Sequence, residues 1–172
     1  MAIEHLASIP VLLGLLGIAV IVDLACHRIP NLLVLLGLGL GIAGQIYYQG
    51  ALGLGFGVLG MLIGLAAFLP LYALRGMAAG DVKLMAMAGA FLAPMEATWA
   101  AAFSLMAGGL CGLVLVLLRG QLSKTLGRYW LMLRLQTYVA PEAGEVAGKP
   151  FPFAIAVLLG TLASVLWQPL GQ

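Results

Sequence analysis

Six long, almost uncharged apolar stretches dominate the chain: Ile9 to Leu24, Leu32 to Tyr48, Leu52 to Leu74, Val82 to Ala93, Ala97 to Leu118 and Phe151 to Trp167. A membrane-crossing helix needs roughly 20 apolar residues, so 172 residues hold about six crossings and short connections. The expected fold is all-α: a polytopic membrane bundle of about six transmembrane helices, forming a single domain over residues 1–172. Between the stretches lie short polar or turn-forming segments, such as the one running from Asp23 to Asn31, the pair Gln49-Gly50, and Pro94 to Glu96. The first stretch has no basic region before it, and Asp-Leu-Ala-Cys-His-Arg follows where a cleavage site of small residues would be expected. It therefore reads as a retained helix and not as a signal peptide.

The longest connection, 119–149, has two parts. Leu122, Leu126, Tyr129 and Leu133 recur at helical spacing while Lys124 and Arg128 fall on another side, which predicts an amphipathic helix lying in the headgroup region. The segment Pro141 to Pro150 is rich in turn formers and acid and predicts a mobile cytosolic loop.

Composition sharpens this picture. Hydrophobic residues make up 63% of the chain and charged residues 8%, with a mean hydropathy of +1.14, whereas a soluble globule carries about 25% charged residues. Little chain is left for an aqueous domain. A net charge of +2 is too small to imply a nucleic-acid partner, and Cys26 and Cys111 supply neither a disulfide framework nor a CxxC metal knuckle. The 24 glycines suit helices that pack closely in lipid, and Gly37/Gly41, Gly53/Gly57 and Gly60/Gly64 have the small-xxx-small spacing of packing faces.

Orientation follows from the basic residues, which short cytoplasmic loops retain. With six alternating crossings, all 8 Lys and Arg fall on one side: Arg28, Arg75, Lys83, those from Arg119 to Arg134, and Lys149. That side is expected to be the cytoplasm. Both termini, the Gln49-Gly50 turn and the Pro94 to Glu96 turn then lie on the outer side of an inner membrane.

Only two acids sit against the spans on the basic side, Asp23 and Asp81. An ionisable group at mid-bilayer costs about 2.5–3.5 kcal/mol on insertion scales, so each asks for an explanation. Asp23 closes a helix running inward and Asp81 opens one running outward. From Pro10 to Asp23, and from Asp81 to Pro94, the helical rise adds up to about 20 Å. If both prolines mark the outer boundary, the two carboxyls share one level, about 10 Å short of the far edge of a ~30 Å hydrocarbon layer. Two carboxyls close together in a low dielectric share one proton and titrate as a pair. One can then act as general base on water while the other, protonated, polarises a carbonyl, which is the chemistry of an aspartic peptidase. Two other readings stay open on these residues alone. Each Asp can cap a helix or pair with Arg28 or Lys83 at the interface, or the pair can carry protons or cations through a small coupled transporter, although the internal repeat of many transporters is not evident.

The segments Asp23-Leu-Ala-Cys-His-Arg28-Ile29-Pro30-Asn31 and Ala78-Ala79-Gly80-Asp81-Val82-Lys83-Leu84 together resemble the two aspartate motifs of the type IV prepilin peptidases, membrane proteases of the GxGD class. Helix count and the placement of each Asp between spans agree over almost the whole chain, and Lys149-Pro-Phe-Pro-Phe153-Ala154 looks like the family's Pro-Phe segment near its C-terminus. Ala78 stands where the motif has its first glycine, a change that costs little unless the position needs positive φ. The resemblance is to the short, peptidase-only members, because the cytosolic insert with paired CxxC motifs that accompanies methyltransfer is missing. It implies a membrane aspartic endopeptidase with Asp23 and Asp81 as its catalytic pair. The implied substrate is a prepilin-like protein with a short basic leader ending in glycine before a hydrophobic helix, and no cofactor is implied. The presenilin branch shares Gly-Asp but uses Tyr-Asp and Pro-Ala-Leu motifs that this chain lacks.

The surrounding residues are expected to bind substrate or shape the site. Gly80 allows close backbone approach at a helix start. Lys83 and Arg28 place positive charge near the pair or simply mark the cytoplasmic edge. Pro30 holds Ile29 extended and Asn31 can cap the second span, while Pro150 and Phe151 open the last one. His27 would share a helix face with Asp23 if that helix continued, but Asp23, His27 and Asp81 make only three ligands, so no metal is expected. Cys26 reads as a small interfacial hydrophobe, and Glu142 and Glu145 as a solvated loop or as partners for a basic leader.

Overall fold

A computed structural model describes residues 2–74, 76–137 and 152–167. Six helices form in it: α1 (Ala2–Cys26), α2 (Asn31–Ala73), α3 (Ala79–Phe91), α4 (Pro94–Leu118), α5 (Leu122–Leu135) and α6 (Ala154–Trp167). Three of them are long and apolar enough to cross a membrane, namely Ser8–Cys26 of α1, α2, and α4, while α6 is a shorter apolar helix. The chain is an all-α bundle consistent with a multi-pass membrane protein.

The helix α2 consists of two arms. Gly50 interrupts it at φ 60° and ψ −136°, a region that only glycine enters readily. Beyond it Gly53 and Gly57 come back against Gln45. The arms, 31–49 and 51–73, therefore run in opposite directions, with the reversal where Gln49-Gly50 predicts it.

The groove between the arms holds α3. Every residue of α3 from Asp81 to Phe91 is buried except Lys83, as suits a helix that is apolar on all faces. All six of the regularly spaced glycines of α2 are buried; Gly53 lies against Gln45 of the other arm, and Gly37, Gly41, Gly57, Gly60 and Gly64 face α3. On the first arm Gly37 abuts Met87 and Gly41 abuts Phe91; on the second, Gly57, Gly60 and Gly64 abut Ala90, Gly89 and Met85 in turn. So α3 runs parallel to one arm and antiparallel to the other. Small residues let the backbones approach closely enough for dispersion and carbonyl contacts to hold helices together where lipid offers no hydrophobic contrast.

The far end of α3 is closed by polar bonds. The Gln45 amide donates to the Phe91 carbonyl at 3.0 Å, and the Ala93 N–H donates to the Glu96 carboxylate at 3.2 Å. Pro94 is already the first residue of α4, where its missing N–H costs nothing. The turn thus falls at Leu92 and Ala93, just before the expected Pro94 to Glu96, and the short fourth stretch ends before the proline. Pro10 lies inside α1 and is not its outer boundary. Along α6, the Ser164 hydroxyl donates to the Glu96 carbonyl at 3.1 Å and Gly160 abuts Ser104.

The chain divides into two compact units, Met1–Ala107 with Pro152–Gln172, and Gly108–Phe151. In the second, α5 covers the expected amphipathic segment. The Arg134 guanidinium lies over the Trp130 ring, 5.7 Å from its centroid, and the helix stops at Gln136 with φ 49°. Glu142, Glu145, Lys149 and the loop predicted around them lie outside the described residues.

Candidate active site

The end of α1 carries Asp23 in its last turn. The helix stops at Cys26, and His27 adopts φ 51° while its N–H donates to the Asp23 carbonyl at 2.8 Å. This left-handed stop takes His27 off the helix, so it does not continue the Asp23 face, and both His27 and Arg28 are exposed. The chain then passes through Ile29 to Pro30, which occupies the N-cap of α2 at φ −63° and ψ 130° without a side-chain cap. Asn31 is consequently the first residue of the helix and not its cap. Its side chain is used elsewhere: the Asn31 Oδ1 accepts from Lys83 Nζ at 3.0 Å, tying the start of α2 to the first turn of α3 across 52 residues.

The start of α3 presents Asp81. Ala78, the N-cap, is extended at φ −81° and ψ 154°, so the position makes no demand that alanine cannot meet. Its N–H donates to Asp81 Oδ2 at 3.1 Å, which satisfies one of the unpaired donors of the helix start. Gly80 rests on Ile29, and a Cβ added there would lie 3.5 Å from the Ile29 side chain, an ordinary contact.

Asp23 and Asp81 are each 6% exposed and interact electrostatically. A third element joins them. The Ala154 N–H at the start of α6 donates to Asp23 Oδ2 at 3.3 Å, in a buried bond between residues 131 apart in sequence. Thus α1, α3 and α6, which pack on one another, converge where the two carboxyls sit. Among the described residues each carboxyl has one oxygen engaged, by a backbone N–H, which leaves its second oxygen for a proton or water. Clefts around Ser8, Gln45 and Phe91 open at the other end of α3, about 15 Å along the helix from Asp81.

Of the residues singled out in the sequence, Gly80, Lys83, Pro30 and Asn31 lie around the aspartates, whereas Pro150 and Phe151 lie outside the described residues. Sequence reasoning passed over Ala154 as a donor, and with it Phe153 and Phe68, whose rings meet edge to face at 5.6 Å between centroids and 82° between planes. A backbone donor leaves no trace in residue type. The only hint was the position of Phe153 and Ala154 at the end of the Pro-Phe segment.

A family model described as the type IV leader peptidase family matches residues 10–117, a stretch that includes Asp23, Asp81 and the residues linking them but stops before α5 and α6. Neither the curated proteins nor the solved structures gave a match.

Proposed function

This chain belongs to the type IV leader peptidase family, and on that premise we propose that it removes the basic leader from prepilin-like proteins at the cytoplasmic face of the membrane, using Asp23 and Asp81 as its catalytic pair. Peptidase activity follows from the family. The observation that carries the assignment to these two acids is that helix ends far apart in sequence bury them together, each with one oxygen held by a backbone N–H.

In the proposed reaction, one ionised carboxyl takes a proton from water as the oxygen attacks the scissile carbonyl. The other, protonated, donates a hydrogen bond to that carbonyl and so stabilises the negative charge that develops on it. Collapse of the tetrahedral intermediate breaks the C–N bond, and a carboxyl returns the proton to the leaving amine. Water is added across one peptide bond, no covalent enzyme intermediate forms, and no cofactor takes part. The hydrophobic helix of the substrate lies in the bilayer beside the bundle while its basic leader stays in the cytosol. The proposed topology has six crossings, the two arms of α2 counting separately, with both termini outside and the amphipathic α5 in the headgroup region among lipids.

A gel-shift assay tests this reading: co-expression with a candidate prepilin should yield the shorter, leaderless band. A set of prepilins left uncut, together with proton- or ion-coupled flux in liposomes, would favour the transporter instead.

Two further outcomes follow for the surrounding residues. Ala78→Gly and Gly80→Ala should each keep cleavage within about twofold of wild type, because neither site shows strain or a tight contact and such changes fall within about 0.5 kcal/mol. A loss beyond tenfold would mean that substrate approaches the backbone at that point. Asn31→Ala and Lys83→Ala should each slow cleavage a few-fold, and the double variant should be no slower than the worse single, since both remove one exposed hydrogen bond worth about 0.5–1.5 kcal/mol. Multiplicative losses would show that the two side chains act separately.

A further inference from the structure

The matched region ends at residue 117, yet a group beyond it reaches Asp23. We infer that the entry of α6, through the Ala154 N–H, is a positioning element of the aspartate pair, held in register by Phe153 against Phe68; this rests on the assignment of Asp23 and Asp81 as the catalytic pair.

Ala154 is fully buried and is the first residue of α6. The N–H groups of a helix's first turn have no partner within the helix and face outward with the positive end of the helix dipole. Here one of them points at Asp23 Oδ2. At 3.3 Å the bond is long, as catalytic hydrogen bonds often are before substrate tightens the site.

Three contacts fix the axial position of α6, and with it the place of this donor. At the entry, the Phe153 ring stands edge-on to Phe68, which is fully buried on the second arm of α2. Further along, Ser164 bonds the Glu96 carbonyl and Gly160 leaves no room against Ser104. A slide of α6 by a fraction of a turn would break these contacts together with the bond to Asp23. With one Asp23 oxygen held by Ala154 and one Asp81 oxygen held by Ala78, the remaining oxygens are the pair that can share a proton and meet water. Losing the Ala154 bond would free the Asp23 carboxyl to rotate, and a misplacement of about 1 Å can cost 10²-fold in rate.

Proline tests the donor directly. At the first helical residue it removes only an N–H that the helix itself does not use, so Ala154→Pro deletes the bond to Asp23 and keeps α6. The experiment compares purified full-length wild type, Ala154→Pro, Phe153→Leu, Phe68→Leu and Asp23→Asn on a prepilin, with kcat and KM determined separately and the amount of inserted protein measured. We expect kcat of Ala154→Pro to fall about 10- to 100-fold, the scale of one hydrogen bond to a charged group, with KM within twofold. The two Phe variants should lower kcat less, again without raising KM. Wild-type kcat in Ala154→Pro, or a loss carried by KM alone, would overturn the inference. If that variant does not accumulate in the membrane, the Phe153→Leu and Phe68→Leu values decide by the same criterion. Activity retained in Asp23→Asn would bring down the assignment of the pair itself, whereas an inactive Asp23→Asn beside a fully active Ala154→Pro would bring down this inference alone.

Discussion

Replacing Asp23 or Asp81 by Asn should each reduce cleavage of a co-expressed prepilin by at least about 10³-fold, within the span that positioned acid–base groups contribute. Asn is nearly isosteric and keeps an oxygen that can accept from the Ala154 or Ala78 N–H, so each variant should insert and accumulate. What it cannot do is take the proton of the attacking water or exchange one with its neighbour. The buried pair also repels itself when both members are ionised, and removing one charge relieves that cost. Protein level and thermal stability should therefore be unchanged or raised. A band-shift assay beside an immunoblot of the enzyme checks both halves. Cleavage near the wild-type level in either variant would remove that residue from the reaction.

The second large effect concerns the core. A Cβ on Gly60 would collide with the Gly89 carbonyl and come within 2.7 Å of the Leu92 oxygen; one on Gly89 would collide with the Gly60 carbonyl oxygen and come within 2.7 Å of its carbon. These obstacles are backbone atoms, which cannot rotate aside as a side chain can. The axes of α2 and α3 must separate instead. Gly89→Ala should cost about 1–3 kcal/mol, the range for overpacked cores, or a fall in Tm of roughly 2–12 °C for a protein of this size. Gly89→Leu should prevent stable assembly, and because α3 carries Asp81, any protein that survives should cleave poorly. Gly39→Ala and Gly55→Ala, where an added Cβ meets nothing within 4 Å, should leave Tm unchanged. Thermal unfolding in detergent separates these cases, and a Gly89→Leu protein as stable as wild type would contradict the packing described.

Much of this was legible in the sequence because it rests on spacing. Glycines four residues apart announced close-packed faces on α2, the pair Gln49-Gly50 marked the reversal, and the two acids stranded against apolar stretches are ones that the structure buries. The two motifs around those acids resemble those of the family whose model matches the chain. Features that depend on relative placement were hidden. Pro94 reads equally well as a boundary after one span or the first residue of the next, and only the Ala93–Glu96 bond distinguishes them. His27 turns left-handed and leaves the helix, a conformation that histidine adopts more often than most residues but that its type does not dictate. The Lys83–Asn31 bond and the donation from Ala154 to Asp23 join residues 52 and 131 apart, and no periodicity reports such distances. A backbone donor is the extreme case, since every residue but proline supplies one.

The central claim is that the two carboxyls work as one unit on a single water. Comparing prepilin cleavage rates of Asp23→Asn, Asp81→Asn and the double variant tests it most directly. Groups that act only together are grossly non-additive, so each single variant should fall to one common residual rate and the double should fall no further. Losses that multiply in the double variant, or a single variant that retains substantial activity, would show two independent acids and contradict the paired mechanism.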